Sequence, residues 1–223
     1  MSRKIIVACL CCLLALTFTT SLFAQGQAPA QKAPAAAAPA KQPAAAPAAP
    51  AKPEIPKKKQ TTLGLYVTAK EAYAMWQKDK DKVKILDCRT PEEYVFVGHA
   101  PMAYNIPAKF MRLRWDAKKK AYTMKDNRRF VRQVKKVFKP TDTILVMCRS
   151  GARSAASVNK LAKAGFKNVY NIYDGFEGDK VKDKNDPNHG KRTKNGWRNS
   201  GAPWTYSLDV DLIYVPYGKP KGK

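Results

Sequence analysis

The chain has 223 residues, with 42 lysines and arginines against 17 acids, a formal charge of +25. That length allows one or two folded domains. Of five cysteines, Cys9, Cys11 and Cys12 sit at the extreme N-terminus and Cys88 and Cys148 remain, which excludes a disulfide framework.

Taken in order, Arg3 and Lys4 precede an unbroken apolar run from Ile5 to about Leu16, then polar residues and Leu22-Phe23-Ala24. This is the pattern of a secretory signal peptide, expected to span 1–24 and to be cleaved after Ala24. A retained membrane anchor is the alternative, although the run is short for a spanning helix. A lipoprotein reading through Cys9, Cys11 or Cys12 would cut the run before it is complete. The expected location is outside the cytoplasm, in the periplasm of a Gram-negative cell. There the charge of +25 points to small anions, an anionic envelope polymer or a membrane surface, and not to nucleic acid. A plain solvated basic surface is the competing reading.

Residues 25–60 are low-complexity Ala, Pro and Lys. Repeated proline blocks a continuous helix, and nothing there builds a core, so an extended linker is expected. A folded domain is expected over 61–178. Gly64–Val67 reads as a first strand. Thr68-Ala69-Lys70-Glu71 is a capping box opening a helix with Ala72, Met75 and Trp76 on one face. Val83–Cys88 reads as a strand, and Thr90-Pro91-Glu92-Glu93 as a second capping box with proline at the first helical position. Ala103–Ile106 reads as a short strand. Lys109–Lys125 reads as a basic, aromatic connection contributing to the substrate rim, and Asn127–Phe138 as an amphipathic helix ended by Pro140.

At Thr143–Ser157, TILVMCRSGARSAAS, an apolar β-prone run meets Cys148 and the periodicity switches from strand to helix. The thiol is therefore expected at the C-terminal end of a buried strand, where open α/β sheets place ligands. Arg149, Ser150, Gly151, Ala152 and Arg153 form a tight loop whose N–H groups make an anion nest, with Ser154 as the expected helix N-cap. A thiol so placed ionises more readily than free cysteine. The helix is expected to run to Ala164 with Gly165 as its cap, and Asn168–Tyr173 to form the last parallel strand.

These residues carry a resemblance. Cys148-Arg149-Ser150-Gly151-Ala152-Arg153-Ser154 resembles the active loop of single-domain rhodaneses, C-R-S-G-x-R-S. Ile85-Leu86-Asp87-Cys88-Arg89-Thr90-Pro91-Glu92-Glu93-Tyr94, with Gly98-His99 and Ala103-Tyr104-Asn105-Ile106-Pro107, resembles the upstream block. Ala164–Tyr170, AGFKNVY, resembles the downstream block. The resemblance covers about Gly64 to Gly178. It implies an α/β rhodanese-like fold of three layers, a five-stranded parallel sheet flanked by helices. It also implies a sulfurtransferase: Cys148 attacks a small anionic sulfur donor such as thiosulfate, becomes a persulfide, and gives sulfur to a thiol or cyanide acceptor, with no cofactor and no metal. Arg149 and Arg153 would orient the donor, and residues 149–154 would bind it. Asp87, Arg89 and Glu93 are read as a structural set beside the loop, and His99 as a loop anchor, acid–base roles being the alternative. Cys88 stands where the family usually has an apolar residue. It is read as a core filler, with a resolving thiol as the alternative.

A phosphatase would place five residues between cysteine and arginine; here there are four between Cys148 and Arg153. A non-enzymatic binding module of the envelope and a thiol–disulfide protein complete the alternatives. Residues 179–223 depart from the resemblance. Asp179–Gly201 reads as a long irregular loop, where Asp183, Asn185 and Asp186 lack the spacing of a calcium loop. Trp197, Trp204, Tyr206 and Leu208–Tyr217 are too aromatic for a disordered tail and are expected to form an extension packed on the domain, covering one side of the mouth.

Overall fold

The computed structural model describes residues 54–216. The signal segment, its cysteines and nearly all of the expected linker lie outside them. β1 (Tyr66–Val67), β2 (Val83–Asp87), β3 (Ala103–Asn105), β6 (Thr143–Met147) and β7 (Val169–Ile172) form one sheet. Its order is β1-β7-β6-β2-β3 and every pair is parallel. β6 is central because Ile144–Met147 is apolar on both sides, as a strand covered on both faces must be.

The alternation of side chains sorts the core into two halves. Leu86, Ile144 and Val146 face α3 (Phe130–Val137) and α4 (Ala152–Lys163), where Phe130, Val134, Val158 and Leu161 close over them. Val83, Ile85, Leu145 and Met147 face α1 (Ala69–Lys78) and the C-terminal segment, where Ala72 and Trp197 close over them. Each fully buried aliphatic or aromatic side chain contributes about 1.5–3 kcal/mol. The result is a three-layer α/β domain.

Both capping boxes form. The Thr68 side chain accepts from the Glu71 N–H, and Thr90 does the same for Glu93 at the start of α2 (Pro91–Phe96). α4 ends in a Schellman turn: Phe166 N–H bonds Leu161 and Gly165 N–H bonds Ala162.

Several boundaries differ from the sequence reading. α4 begins at Ala152, with Gly151 in the left-handed region as its N-cap. Ser154 is therefore not the cap but a buried member of the first turn. Its hydroxyl bonds Asn171 Oδ1 at 2.6 Å, because a buried hydroxyl takes the nearest acceptor. The linker expected through residue 60 ends earlier. Lys57–Lys59 forms a short 3-10 turn, and Lys59 is buried, paired with Asp179 at 2.8 Å.

Lys109–Lys125, read as a basic, aromatic connection, has regular structure of its own. It folds as an antiparallel hairpin of β4 (Lys109–Asp116) and β5 (Ala121–Asp126), a separate two-stranded sheet with an irregular register between Met111 and Trp115. Period-two alternation was present in KFMRLRWD, but its charges masked it.

Residues after Gly178 are irregular and held at many points. Trp197 is buried edge-on to Tyr73, and its Nε1–H bonds the Pro203 carbonyl at 2.8 Å. Thr205 exchanges two backbone hydrogen bonds with His99. Asn105 N–H bonds Leu212, so the segment covers the β3 edge of the sheet.

Candidate active site

Cys148 directly follows β6, 2 % exposed, at the C-terminal edge of the sheet. The turn into α4 is tight because Gly151 has φ 94°, a conformation that glycine adopts without penalty. A Cβ there would also meet the Tyr173 carbonyl oxygen at 2.0 Å. This turn aims the Gly151 N–H at Cys148 Sγ, 3.2 Å away. Ser154 Oγ lies 3.5 Å from the same sulfur, so its single proton is shared between Sγ and Asn171 Oδ1. Asn171 Nδ2 donates to the Gly151 and Lys59 carbonyls, which holds the turn.

The segment after β7 braces the loop from below. Phe176 N–H bonds the Cys148 carbonyl at 2.7 Å, and Glu177 N–H bonds that of Arg149 at 2.9 Å. Gly175 is needed for this approach, since a Cβ there would stand 2.6 Å from Ser150 N. Asn171 and Gly175 are site residues that the sequence reading missed. The signal available was the glycine-rich YDGFEG immediately after the last strand.

Burial raises the pKa of the Cys148 thiol. A hydrogen bond from Cys88, the charge of Arg153 and the Ser154 hydroxyl outweigh it, leaving the thiol well below its usual range. The start of α4 adds its partial positive charge on the same side. Cys88 is pushed the other way, by burial first and then by its hydrogen bond to Cys148 and that group's charge. Cys88 has no anion nest of its own, so the thiolate belongs to Cys148.

The arginines part company. Arg149 is exposed at the mouth. Arg153 turns inward, its two terminal nitrogens on the two Glu93 oxygens at 2.6 Å each. A guanidinium clamped bidentately by a carboxylate is fixed in place, and from there its charge favours the Cys148 thiolate. Burial raises the Glu93 carboxyl's pKa, but Arg153 outweighs it and lowers the group below its ordinary value. Asp87 and Arg89 are fully buried and paired, with Nη2–Oδ2 at 2.6 Å. Arg89 also donates to the Gly98 carbonyl and lies over the Phe176 ring at 4.0 Å. His99 stacks on Tyr94, and its ring nitrogens face the Tyr94 and Ser207 carbonyls at 3.1 Å each. Neither nitrogen is left for a substrate proton.

Ser150 opens into a cleft of about 1000 Å³. Lys58, Lys180, Lys182, Arg192 and Lys194 line it, together with Asp179, Asp183 and Asp186. Residues 179–195 thus wall a cleft that reaches the loop at Ser150. Asp183 and Asp186 cap local turns, accepting from the Asn185 and Asn188 N–H groups.

Comparison with known proteins gives three kinds of match. The family profile described as "Rhodanese-like domain" matches residues 68–182. The chain is 32 % identical over 122 residues to the uncharacterized protein RP600 of Rickettsia prowazekii, covering 55 % of this chain and 82 % of that one. It is 39 % identical over 93 residues to thiosulfate sulfurtransferase 16, chloroplastic, of Arabidopsis thaliana, covering 42 % of this chain and 70 % of that one. Among solved structures, Rv0390 from M. tuberculosis aligns with a TM-score of 0.49 at 24 % identity, covering 63 % of this chain and 96 % of that one.

Proposed function

The chain belongs to the rhodanese-like domain family, and we propose that it is a sulfurtransferase carrying sulfane sulfur on Cys148 from thiosulfate or a similar donor to a thiophilic acceptor. The observation that supports this most directly is the Gly151 N–H on Cys148 Sγ at 3.2 Å, at the start of α4. A thiolate held there is a soft nucleophile.

The Cys148 thiolate attacks the outer sulfur of thiosulfate. The new sulfur–sulfur bond forms as the old one breaks, and sulfite leaves with the electron pair. The persulfide's terminal charge then sits among the N–H groups of the turn and the first residues of α4. A thiol or cyanide attacks the terminal sulfur and Cys148 departs as thiolate. Neither step needs a proton shuttle, which suits a site whose His99 and Glu93 are committed elsewhere. Exposed Arg149 meets the anionic donor at the mouth, where the lysine-lined cleft raises its local concentration.

The signal-like N-terminus supports an exported, periplasmic protein, and the hairpin supports contact with an anionic membrane or envelope surface. Leu113 (91 % exposed), Trp115, Tyr122, Met111 and Met124 are open to solvent beside Arg112, Arg114, Lys118 and Lys120. Trp and Tyr flanked by cations suit the headgroup layer of a bilayer.

The test is the intact mass of the purified protein after thiosulfate and then after cyanide. We expect the gain of one sulfur, reversed by cyanide and absent from Cys148→Ser. No gain, with Cys148 reduced and alkylatable, rejects thiosulfate as donor. Turnover of an aryl phosphate instead selects the phosphatase reading.

A further inference from the structure

Cys88 and Cys148 are the two cysteines among the described residues, and both are free. They stand at the ends of neighbouring parallel strands. Asp87 pairs with Met147 in the β2–β6 ladder, and the next residue on each strand is a cysteine. The Cys88 N–H bonds the Met147 carbonyl at 2.9 Å, so the ladder continues up to the thiols. Both side chains emerge on the α3–α4 face and join the same buried cluster. Neighbouring strands lie about 4.8 Å apart, within the range of about 4.4–6.8 Å between Cα atoms that a disulfide spans.

Cys148 Sγ thus has two sides. Gly151 and Ser154 contact it from the loop, and Cys88 approaches it from the core. A sulfur added to Cys148 must go to the loop side, since the core side is packed. A thiol attacking from the core comes from the rear of that new bond, as displacement at sulfur requires.

We propose that Cys88 is a resolving thiol: once Cys148 carries a persulfide, Cys88 attacks Cys148 Sγ and releases the outer sulfur as hydrosulfide. The inference rests on the sulfurtransferase reading above. The step is Cys148–S–S⁻ plus Cys88–SH giving Cys148–S–S–Cys88 plus HS⁻. The bond to the outer sulfur breaks as the bond between the two cysteine sulfurs forms. The Cys88 proton goes to the departing sulfur. The two cysteine sulfurs together lose two electrons, and the sulfane sulfur gains them. A dithiol, or two equivalents of a monothiol, then reduces the bridge.

The environment makes the step conditional. In the resting site, burial and the neighbouring thiolate hold Cys88 protonated and inert. Loading moves the negative charge one bond farther away, onto the outer sulfur in the loop. The repulsion that kept Cys88 protonated then weakens. With small thiols present, the protein converts thiosulfate to sulfite and sulfide, in addition to handing sulfur to an acceptor.

The experiment compares the reduced full chain with Cys88→Val and Cys88→Ala, each given thiosulfate, and in parallel polysulfide, without oxygen or acceptor. Intact mass and released sulfide are followed over time. The unmodified chain is expected to gain one sulfur, then to fall two hydrogens below its starting mass as one sulfide appears per chain. Peptide mapping should find the 88–148 bridge. Both variants should keep the added sulfur and release at least about tenfold less sulfide. An unmodified chain that keeps its added sulfur as long as Cys88→Val overturns the inference alone. A chain that takes sulfur from neither donor overturns the sulfurtransferase reading, and the inference with it.

Discussion

The active loop and the β4–β5 hairpin are both turns rich in arginine or lysine, yet the fold treats them oppositely. At the loop, the groups that hold Cys148 are themselves held inside the protein: Gly151 N–H on the sulfur, Ser154 on Asn171, Arg153 on Glu93. At the hairpin the ion pairs are peripheral, Lys109 with Asp126 and Lys119 with Asp116, and the apolar side chains face water. In the first, backbone packing from 173–177 dictates geometry to within a methyl group. In the second, two strands hold each other and little else constrains the side chains. A site that forms a covalent bond needs the first arrangement; a surface that meets a fluid or irregular partner tolerates the second.

That contrast predicts a descending series of effects. Cys148→Ser should lower sulfur transfer by at least about 10³-fold, since the nucleophile itself is lost. A cyanide-coupled thiocyanate assay measures it, and appreciable residual transfer would place the sulfur elsewhere. Gly151→Ala should come next. Its methyl would meet the Tyr173 carbonyl at a left-handed φ, so stability should fall by about 2–4 kcal/mol in urea denaturation. Alkylation of Cys148 should also shift to higher pH as the N–H leaves the sulfur.

Glu93→Gln should cost less, about 1–3 kcal/mol at neutral pH, because the pair is only partly buried. The pH dependence has a definite sign. The folded Glu93 carboxyl titrates below its unfolded value of about 4.3, so its contribution is complete above that value. It is lost as pH falls through the folded pKa. Stability curves of the two proteins should therefore converge in acid; parallel curves would show that Glu93 carries no linked proton.

The hairpin should respond least in the folded protein. Leu113→Ser with Trp115→Ala should change stability by no more than about 0.5 kcal/mol and leave thiocyanate formation intact. Binding to vesicles containing an anionic phospholipid should nevertheless weaken in flotation. Arg112→Gln and Arg114→Gln should each remove about 1 kcal/mol of that affinity at moderate salt. Equal binding to neutral vesicles, or no loss in the variants, would break the comparison at its second half.

Much of the domain was legible in the chain. The capping boxes at Thr68 and Thr90, the apolar run 144–147 and Gly165 are local signals that act over one or two helical turns, and the structure uses each of them. Ser154 misled because serine is a good cap anywhere, whereas the left-handed glycine three residues earlier had already started the helix. Arg153 was legible as a cation near the thiol but not as the partner of Glu93, which lies 60 residues away in sequence. The hairpin was hidden because neither of its faces is buried, so its alternation of cationic and apolar residues lacks the contrast of a strand packed on a core.

By itself the sequence determined the order of the strands of the main sheet and of the helices around it, the strand-end position of Cys148 and the glycine that lets the chain turn there, because propensity, capping and alternation are short-range. Only the tertiary structure decided which groups surround the sulfur. It brought Asn171 and Gly175 under the turn, drew Arg153 inward to Glu93, and set Cys88 beside Cys148 in the next strand. Those juxtapositions depend on strand order and register, which arise from burying two apolar faces at once and are not written in any one segment.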